Sequence, residues 1–496
     1  MAMIHLPALR WGEPYASLDF VEAVHFDTGE PVAHVSQVLS AMVRHDLKHA
    51  ARARAMLRSE SPVRLVEHIR RAGDLFMNAE LPLGSGSQTP EEFVHQQSST
   101  TGLPEAMCRA NMDKLAFVCR EMGNILDSLT RGLDLEILST GFGLDESGRM
   151  LSYQAQADVV GAVLPSNSPG VHTLWIPAIP LQVGLCLKPG SQEPWSPYRM
   201  AVAMIEAGIP REAVAVYHGG HDVGQTITQR CGRTLVFGGQ ATMDLYSGNP
   251  AIQVHGPGYS KILIGDDAID NWPDHLDTMA DSVFLNSGRS CINTSSIWVP
   301  RHARAIAEAL ANRFREVGPK DPRDPEASLA AFTVSGVAEA VSGLIDDALA
   351  EGGATDVTAE FRAGSRAITR DHCSYLLPTV VHCESPDHPL ANKEFMFPFV
   401  SVVECPESEM ISRIGPTLVC TGITESPVLQ QRLVSSTSID RLNLGSIPTT
   451  KLDWLQPHEG NIVEWLYQPR SFQMLGGPGG LPAVIGPVPA DTSMPA

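Results

Sequence analysis

Cys291 is the first residue of this chain whose type and surroundings suit covalent chemistry. It lies in LNSGRSCINTSS, where small and polar residues surround a thiol shortly after a glycine. A thiolate in such an accessible place is a strong nucleophile toward a carbonyl carbon. The segment alone is equally compatible with a buried structural cysteine.

Three further segments suit the binding of a substrate or cofactor. Asn167 follows an apolar run in VLPSNSPG, where its amide could donate to an oxyanion or simply form a turn. Lys188 ends the next apolar run in LCLKPGSQ, so its ammonium could bind ribose hydroxyls or a phosphate, or remain solvated at the surface. Gly238 and Gly239 follow an apolar run in TLVFGGQATM, where backbone amides could approach a pyrophosphate, although the full GxGxxG pattern is absent.

The elements that must position these residues are helices and buried parallel strands. Apolar residues recur every three or four positions over 38–79 and 90–133, which predicts amphipathic helices, with Thr89 as a helix cap between them. After Asp158, short apolar runs alternate with helical segments, as in parallel sheets covered on both faces. A second such region runs from about 280 to 444, so we predict an α/β protein with two doubly wound lobes.

One segment outside the lobes predicts a β-hairpin. Residues 133–157 alternate in polarity around an Asp-Glu-Ser-Gly turn. The residues after Gly476 are rich in glycine and proline and predict a tail that is loosely ordered or wraps a neighbouring subunit.

Charge, hydropathy and cysteine spacing limit the classes of binding partner that we expect. The formal net charge of −20 argues against nucleic acid, and no apolar stretch approaches the ~18 residues of a membrane span. The nine cysteines are odd in number and never spaced as CxxC, which argues against a disulfide framework or a zinc site. We expect a cytoplasmic protein with no metal.

Read together and in order, these segments resemble the motifs of the aldehyde dehydrogenase superfamily over residues 80–473. PSNSP takes the place of the family's proline-tryptophan-asparagine motif, KPGSQEP that of lysine-proline-serine-glutamate, and FGG that of the glycine turn. GRSC matches the nucleophile motif, and EFMFP resembles glutamate-x-phenylalanine-glycine-proline. The single motifs are weak, whereas their order and spacing are specific.

The resemblance implies an aldehyde dehydrogenase-like fold with an oligomerisation hairpin. Residues 1–132 and 156–260 would form the N-terminal helices and the nicotinamide cofactor lobe, and 261–445 the catalytic lobe. Residues 133–155 and 446–496 would form the hairpin and tail of a homodimer or homotetramer.

The resemblance also assigns roles to the candidate residues. Cys291 would attack an aldehyde, and Asn167 would stabilise the oxyanion before hydride leaves for NAD or NADP and a thioester remains. Lys188 and Glu394 would hold the ribose hydroxyls, and Gly238 would lie under the pyrophosphate. Two neighbours are included among the cofactor-binding positions, Pro165 and Gly239.

Two departures from the family pattern bear on the reaction. His255, in VHGPGYSK, stands where most members carry the glutamate that activates water, and Gly256-Pro257-Gly258 resembles the coenzyme A-acylating branch. We therefore expect an acyl-CoA-forming, reversible enzyme with coenzyme A as co-substrate, because a thiol needs less help than water. Hydrolysis with His255 as the base is the alternative. Ser191 replaces the glutamate that usually accepts from the 2′-hydroxyl, so NADP becomes acceptable.

Two other classes remain open. The missing glutamate also fits an inactive family member with a binding or structural role, although Cys291, Asn167, Lys188 and Glu394 are all retained. An esterase or thioesterase that uses Cys291 with His255 would need no nicotinamide. The sequence does not identify the aldehyde.

Overall fold

The computed structural model describes residues 3–474, and the predicted tail after Gly476 lies outside the described residues. The α-helices span Ser40–Asp46, Ala50–Leu57, Pro62–Asn78, Pro90–Thr101, Glu105–Arg120, Met122–Leu129, Leu135–Thr140, Trp195–Ala207, His221–Arg230, Gln240–Tyr246, Leu276–Phe284, Ala303–Phe314, Val337–Ala350, Glu407–Arg413, Pro427–Val434 and Ile462–Leu466. None of the described helices is long and apolar enough to cross a membrane.

The first large sheet has seven strands and a doubly wound order. In space the strands are Ile252–His255, Arg233–Phe237, Val159–Val163, Gly184–Lys188, Val214–Val216, Ala8–Arg10 and Glu13–Tyr15. The first five are parallel, and the last two add antiparallel at the edge. The chain order reverses beside Val159–Val163, and a crevice at the carboxyl ends of such strands is where open α/β sheets bind ligands.

The second large sheet also has seven strands. Their order is Ala354–Asp356, Thr379–Cys383, Phe399–Glu404, Thr294–Val299, Ser260–Ile264, Thr417–Ile423 and Ile439–Leu444. All are parallel except Ala354–Asp356 at the edge. The predicted class, two parallel-sheet α/β lobes, is confirmed.

Apolar packing covers these sheets on both faces, as their near-continuous hydrophobic strands require. Helices Pro62–Asn78, Glu105–Arg120 and Trp195–Ala207 pack together in the core of the first lobe. In the second lobe, Ala303–Phe314 covers one face and Val337–Ala350 the other.

The predicted hairpin is present, with Phe142–Leu144 paired antiparallel to Met150–Ala155. A strand from near the end of the described chain, Tyr467–Pro469, pairs with the other edge of Met150–Ala155. The predicted cap is also present, since Thr89 and Glu92 form a reciprocal capping box at the start of Pro90–Thr101.

Three small sheets complete the described strands. The N-terminal region contributes Ile4–Leu6, Pro31–Ser36 and Phe20–Val24, which the sequence did not predict. The two-stranded sheets are Leu81–Leu83 with Gly86–Gln88 and Ala367–Thr369 with Ser374–Leu376.

Candidate active site

A cavity of about 410 Å³ lies between the two large sheets. Its walls come from the carboxyl ends of first-sheet strands and from segments that precede second-sheet strands. The residues that matter below are Lys114, Pro165, Asn167, Gly238, Gly239, His255, Cys291, Glu394, Met396, Arg441 and His458. The sheets meet closely here because only the four residues from Gly256 to Tyr259 separate Ile252–His255 from Ser260–Ile264.

Cys291 is partly exposed to this cavity and lies just before strand Thr294–Val299. Asn286, Ser287 and Gly288 all have left-handed backbone conformations and turn the chain sharply before it. Burial, with a smaller contribution from the Glu394 carboxylate, raises the pKa of the Cys291 thiol to about 12. The thiol therefore needs a base before it can act as a nucleophile.

Gly258 allows the loop between the two sheets to lie directly against the backbone of the candidate nucleophile. A Cβ atom on Gly258 would lie 1.9 Å from the carbonyl oxygen of Cys291. That oxygen also accepts a hydrogen bond from Ser260 Oγ at 2.8 Å. The second glycine of VHGPGYSK, Gly258, is therefore required because a side chain at this position would clash with the backbone of Cys291.

Asn167 lies beside the same turn. Its Nδ2 donates to the carbonyl oxygen of Arg289 at 3.1 Å, two residues before Cys291, and lies 3.5 Å from the Met396 sulfur. The structure therefore brings the predicted oxyanion donor and the predicted nucleophile to one wall of one cavity. The oxyanion role of Asn167 stays a prediction.

Glu394 binds the loop that joins the two sheets. Its carboxylate accepts from the backbone amides of Gly258 at 3.2 Å and Tyr259 at 2.5 Å. Burial raises the pKa of Glu394 to about 7, although these amides oppose the shift. A bound ribose would have to share this carboxylate with the two backbone amides. The predicted ribose contact of Glu394 therefore stays a prediction.

The remaining predicted cofactor positions extend away from Cys291. Pro165, Gly238 and Gly239 line the large cavity, and nothing lies within 4 Å of a Cβ added at Gly239. Lys188 and Ser191 lie outside it, and Ser191 borders a second cavity of about 80 Å³.

The acidic side chain nearest to Ser191 in the sequence is not available to a ribose. Glu193 is buried and forms a hydrogen bond with the His172 ring at 2.7 Å. Ser191 itself is exposed and donates to the Gln192 side chain. The departure noted in the sequence therefore leaves this position without a carboxylate.

His255 is buried and stacks on Phe237, with ring centroids 4.6 Å apart. Burial lowers the pKa of His255 to about 3. His255 Nδ1 contacts Oε2 of the Glu459 carboxylate.

The sequence missed four charged or titratable residues at this site. Glu459 and His458 come from the segment QPHEGN near the end of the described chain, and a ligand atom of each lies within 4.8 Å of the other and of Cys291 Sγ. Arg441 Nη1 lies 2.6 Å from His458 Nδ1. Lys114, from helix Glu105–Arg120, reaches the cavity from the opposite lobe.

Comparison with known proteins is consistent with this arrangement. The model of the aldehyde dehydrogenase family matches residues 15–415. This chain belongs to the aldehyde dehydrogenase family. Aldehyde dehydrogenases are oxidoreductases, and the predicted family and enzyme class are confirmed.

Individual relatives are distant. A betaine aldehyde dehydrogenase of Cereibacter sphaeroides is 24% identical over 414 residues, which cover 80% of this chain and 79% of that protein. An acylating methylmalonate-semialdehyde dehydrogenase of Arabidopsis thaliana is 24% identical over 346 residues, covering 64% and 52%. The crystal structure of a putative aldehyde dehydrogenase from Burkholderia cenocepacia matches with a TM-score of 0.76 at 19% identity, covering 97% and 99%.

Proposed function

We propose that this aldehyde dehydrogenase oxidises an aldehyde with NAD or NADP through a thioester on Cys291. The observation that carries the proposal is the cavity that holds Cys291 and Asn167 together at the carboxyl edge of the first sheet. Cys291 would add to the aldehyde, the Asn167 amide would stabilise the oxyanion, and hydride would leave for the nicotinamide.

The residues present fit a nicotinamide dinucleotide. Gly239 provides an open backbone for the pyrophosphate beside Gly238, Lys188 ends another strand of the same sheet, and Glu394 lines the cavity near Cys291. When bound, the dinucleotide accepts the hydride. The neutral Ser191 leaves both NAD and NADP acceptable.

Water is the acyl acceptor that the site supports better. The carboxylate of Glu459 lies beside Cys291, so the site contains a group that can activate water even though His255 stands at the family's glutamate position. Release to coenzyme A, which the sequence favoured, is the second candidate because of Gly256-Pro257-Gly258 and His255.

For the substrate we propose an aldehyde that carries a carboxylate. Burial lowers the pKa of Lys114, whose side chain lines the cavity. Arg441 also lines the cavity, where it donates to His458 and where the Asp453 carboxylate acts on its charge. A substrate carboxylate would supply an anion for Lys114 and would share Arg441 with Asp453.

Steady-state assays test this proposal. Purified enzyme is incubated with butanal, succinic semialdehyde and betaine aldehyde, with NAD or NADP, and with or without coenzyme A, while reduced nicotinamide is followed. We expect turnover without coenzyme A, highest kcat/KM for succinic semialdehyde, and loss of turnover in Cys291→Ala. An absolute requirement for coenzyme A would select the acylating reaction, and no turnover under any condition would select the inactive or esterase classes.

Two further features support the proposed compartment and the proposed oligomerisation element. All nine cysteines are free, which fits a reducing compartment such as the cytoplasm. The three-stranded sheet with the hairpin Phe142–Leu144 and Met150–Ala155 is the element that we propose for homodimer or homotetramer formation.

A further inference from the structure

The chain lacks the glutamate expected at position 255 yet places another carboxylate at the reacting sulfur. We propose that Glu459 is the general base that hydrolyses the Cys291 thioester, and that His255 positions its carboxylate. This inference rests on the proposed thioester chemistry, and it names a base that comes from the C-terminal segment instead of from the strand that ends at His255.

The distances suit a base that acts through water. A carboxylate oxygen of Glu459 lies within 4.8 Å of Cys291 Sγ, and a ring nitrogen of His458 lies within the same distance of both. A carboxylate this close to the sulfur can reach the acyl carbon through one water molecule, which is how a general base acts in deacylation. The Glu459 side chain is 14% exposed and follows His458, which lines the cavity.

The other titratable groups at the site are less suitable as bases. Arg441 donates to His458 Nδ1, and burial together with this cation lowers the pKa of His458 to about 3. Both oxygens of Glu394 accept backbone amides. His255 is not part of the group whose ligand atoms lie within 4.8 Å of one another around Cys291.

Two contacts hold Glu459 in a backbone conformation that is unfavourable for a residue other than glycine. Its backbone is left-handed, with φ 49°, and Gly460 follows with φ 95°. Gln253 Nε2 donates to the Glu459 carbonyl oxygen, and His255 Nδ1 contacts the carboxylate. Non-glycine residues adopt this backbone conformation at a cost, so the surrounding contacts must fix it.

The chemical step balances without an oxidant or a metal. Glu459 takes a proton from water while the water oxygen forms a bond to the acyl carbon. The tetrahedral intermediate then collapses, the bond from carbon to Cys291 Sγ breaks, and the departing sulfur takes the proton from Glu459. The products are the carboxylic acid and the free thiol.

The test measures deacylation directly. Wild type, Glu459→Gln and the control Glu464→Gln, whose carboxylate is exposed in the same segment, are acylated with p-nitrophenyl acetate. Excess ester is removed, and intact-mass and peptide spectra follow decay of the acetyl group on Cys291. This assay needs neither aldehyde nor nicotinamide, so its result is separate from failure of the proposed dehydrogenase reaction.

We expect decay to be at least about 100-fold slower in Glu459→Gln and unchanged in Glu464→Gln, because a positioned base contributes about that much. Glu459→Asp should restore part of the rate. Decay of Glu459→Gln within about threefold of wild type would overturn the proposal. Failure of wild-type Cys291 to be acylated by ester or aldehyde would overturn the thioester chemistry as well.

The role of His255 has its own readout. His255→Asn and His255→Gln should shift the midpoint of the pH dependence of decay, because they remove the imidazole that faces the Glu459 carboxylate. Added to Glu459→Gln, either change should have no further effect, since residues that act as one unit are not additive. A full additive loss in the double variant would show that His255 does not act through Glu459.

Discussion

The contact between Gly258 and Cys291 predicts the effect of adding a single methyl group. In Gly258→Ala the new Cβ would lie 1.9 Å from the Cys291 carbonyl oxygen, 2.7 Å from its carbonyl carbon and 3.0 Å from its Cβ. Ordinary contacts between heavy atoms are about 3.5 Å, so the two backbones must separate by more than about 1 Å.

Neither side can move freely. Ser260 Oγ holds the Cys291 carbonyl at 2.8 Å, and the backbone amide of Leu418 donates to the Gly258 carbonyl at 2.8 Å. The displacement therefore reaches the Cys291 sulfur and the Glu394 carboxylate that binds the Gly258 amide. A misplacement of about 1 Å costs roughly 100-fold in rate, which corresponds to about 2.7 kcal/mol of transition-state stabilisation.

The assay compares kcat/KM for the best aldehyde in wild type, Gly258→Ala and Gly343→Ala. Gly343 lies within helix Val337–Ala350 and a Cβ there meets nothing within 4 Å. That control should keep full activity and gain about 0.5 to 1 kcal/mol of stability, since alanine favours a helix over glycine. If Gly258→Ala retained kcat/KM within about threefold of wild type while folded, the argument that this contact positions Cys291 would be wrong.

Three further predictions concern the substrate, the stability of the fold and the choice of cofactor. Lys114→Met should raise KM for a carboxylate-bearing aldehyde by about 10- to 100-fold and leave a neutral aldehyde unchanged, because a hydrogen bond to a charged group is lost; an equal effect on both would refute the substrate class. Because burial raises the pKa of Glu394 to about 7, the folded carboxyl keeps a proton that the unfolded chain releases above about pH 4.3. The Glu394 carboxyl therefore makes its full contribution to stability below about pH 4.3 and loses it as the pH rises to about 7. Glu394→Gln should remove this part of the decline in the urea midpoint of unfolding between those two pH values. Ser191→Glu should raise KM for NADP by about 10-fold or more relative to NAD, because a carboxylate accepts from a 2′-hydroxyl and repels a 2′-phosphate; unchanged selectivity would place the 2′ position elsewhere.

The sequence predicted the part of the site that depends on strand ends. Asn167, Lys188, Gly238 and His255 each follow or end an apolar run, and parallel strands bring such positions to one edge of a sheet. Cys291 could be added because the order of motifs resembles a family. Local patterns were sufficient wherever a residue's place followed from the strand that carries it.

The residues that the sequence missed are positioned by packing between distant segments. Lys114 interrupts the apolar pattern of helix Glu105–Arg120 and would be read as a solvated residue, but the segment at Gly170 packs against its side chain and leaves it half-buried. Arg441 belongs to a strand at the edge of the second sheet. Periodicity gives the face of a helix or strand but not the element that lies opposite, so neither cation could be assigned to the cavity.

His255 stands where the family pattern has a glutamate. This departure shows why the absence of a motif residue is weak support for the absence of a function. A general base must reach the reacting atoms, but nothing in the chemistry requires it to come from a particular strand. Here Glu459 approaches Cys291 from a different segment, near the end of the described chain, and His255 contacts its carboxylate. The sequence favoured a thiol acceptor because His255 replaces the glutamate and Gly256-Pro257-Gly258 resembles the acylating branch. If Glu459→Gln traps the acyl-enzyme, the departure at position 255 is a relocation of the base and not its loss.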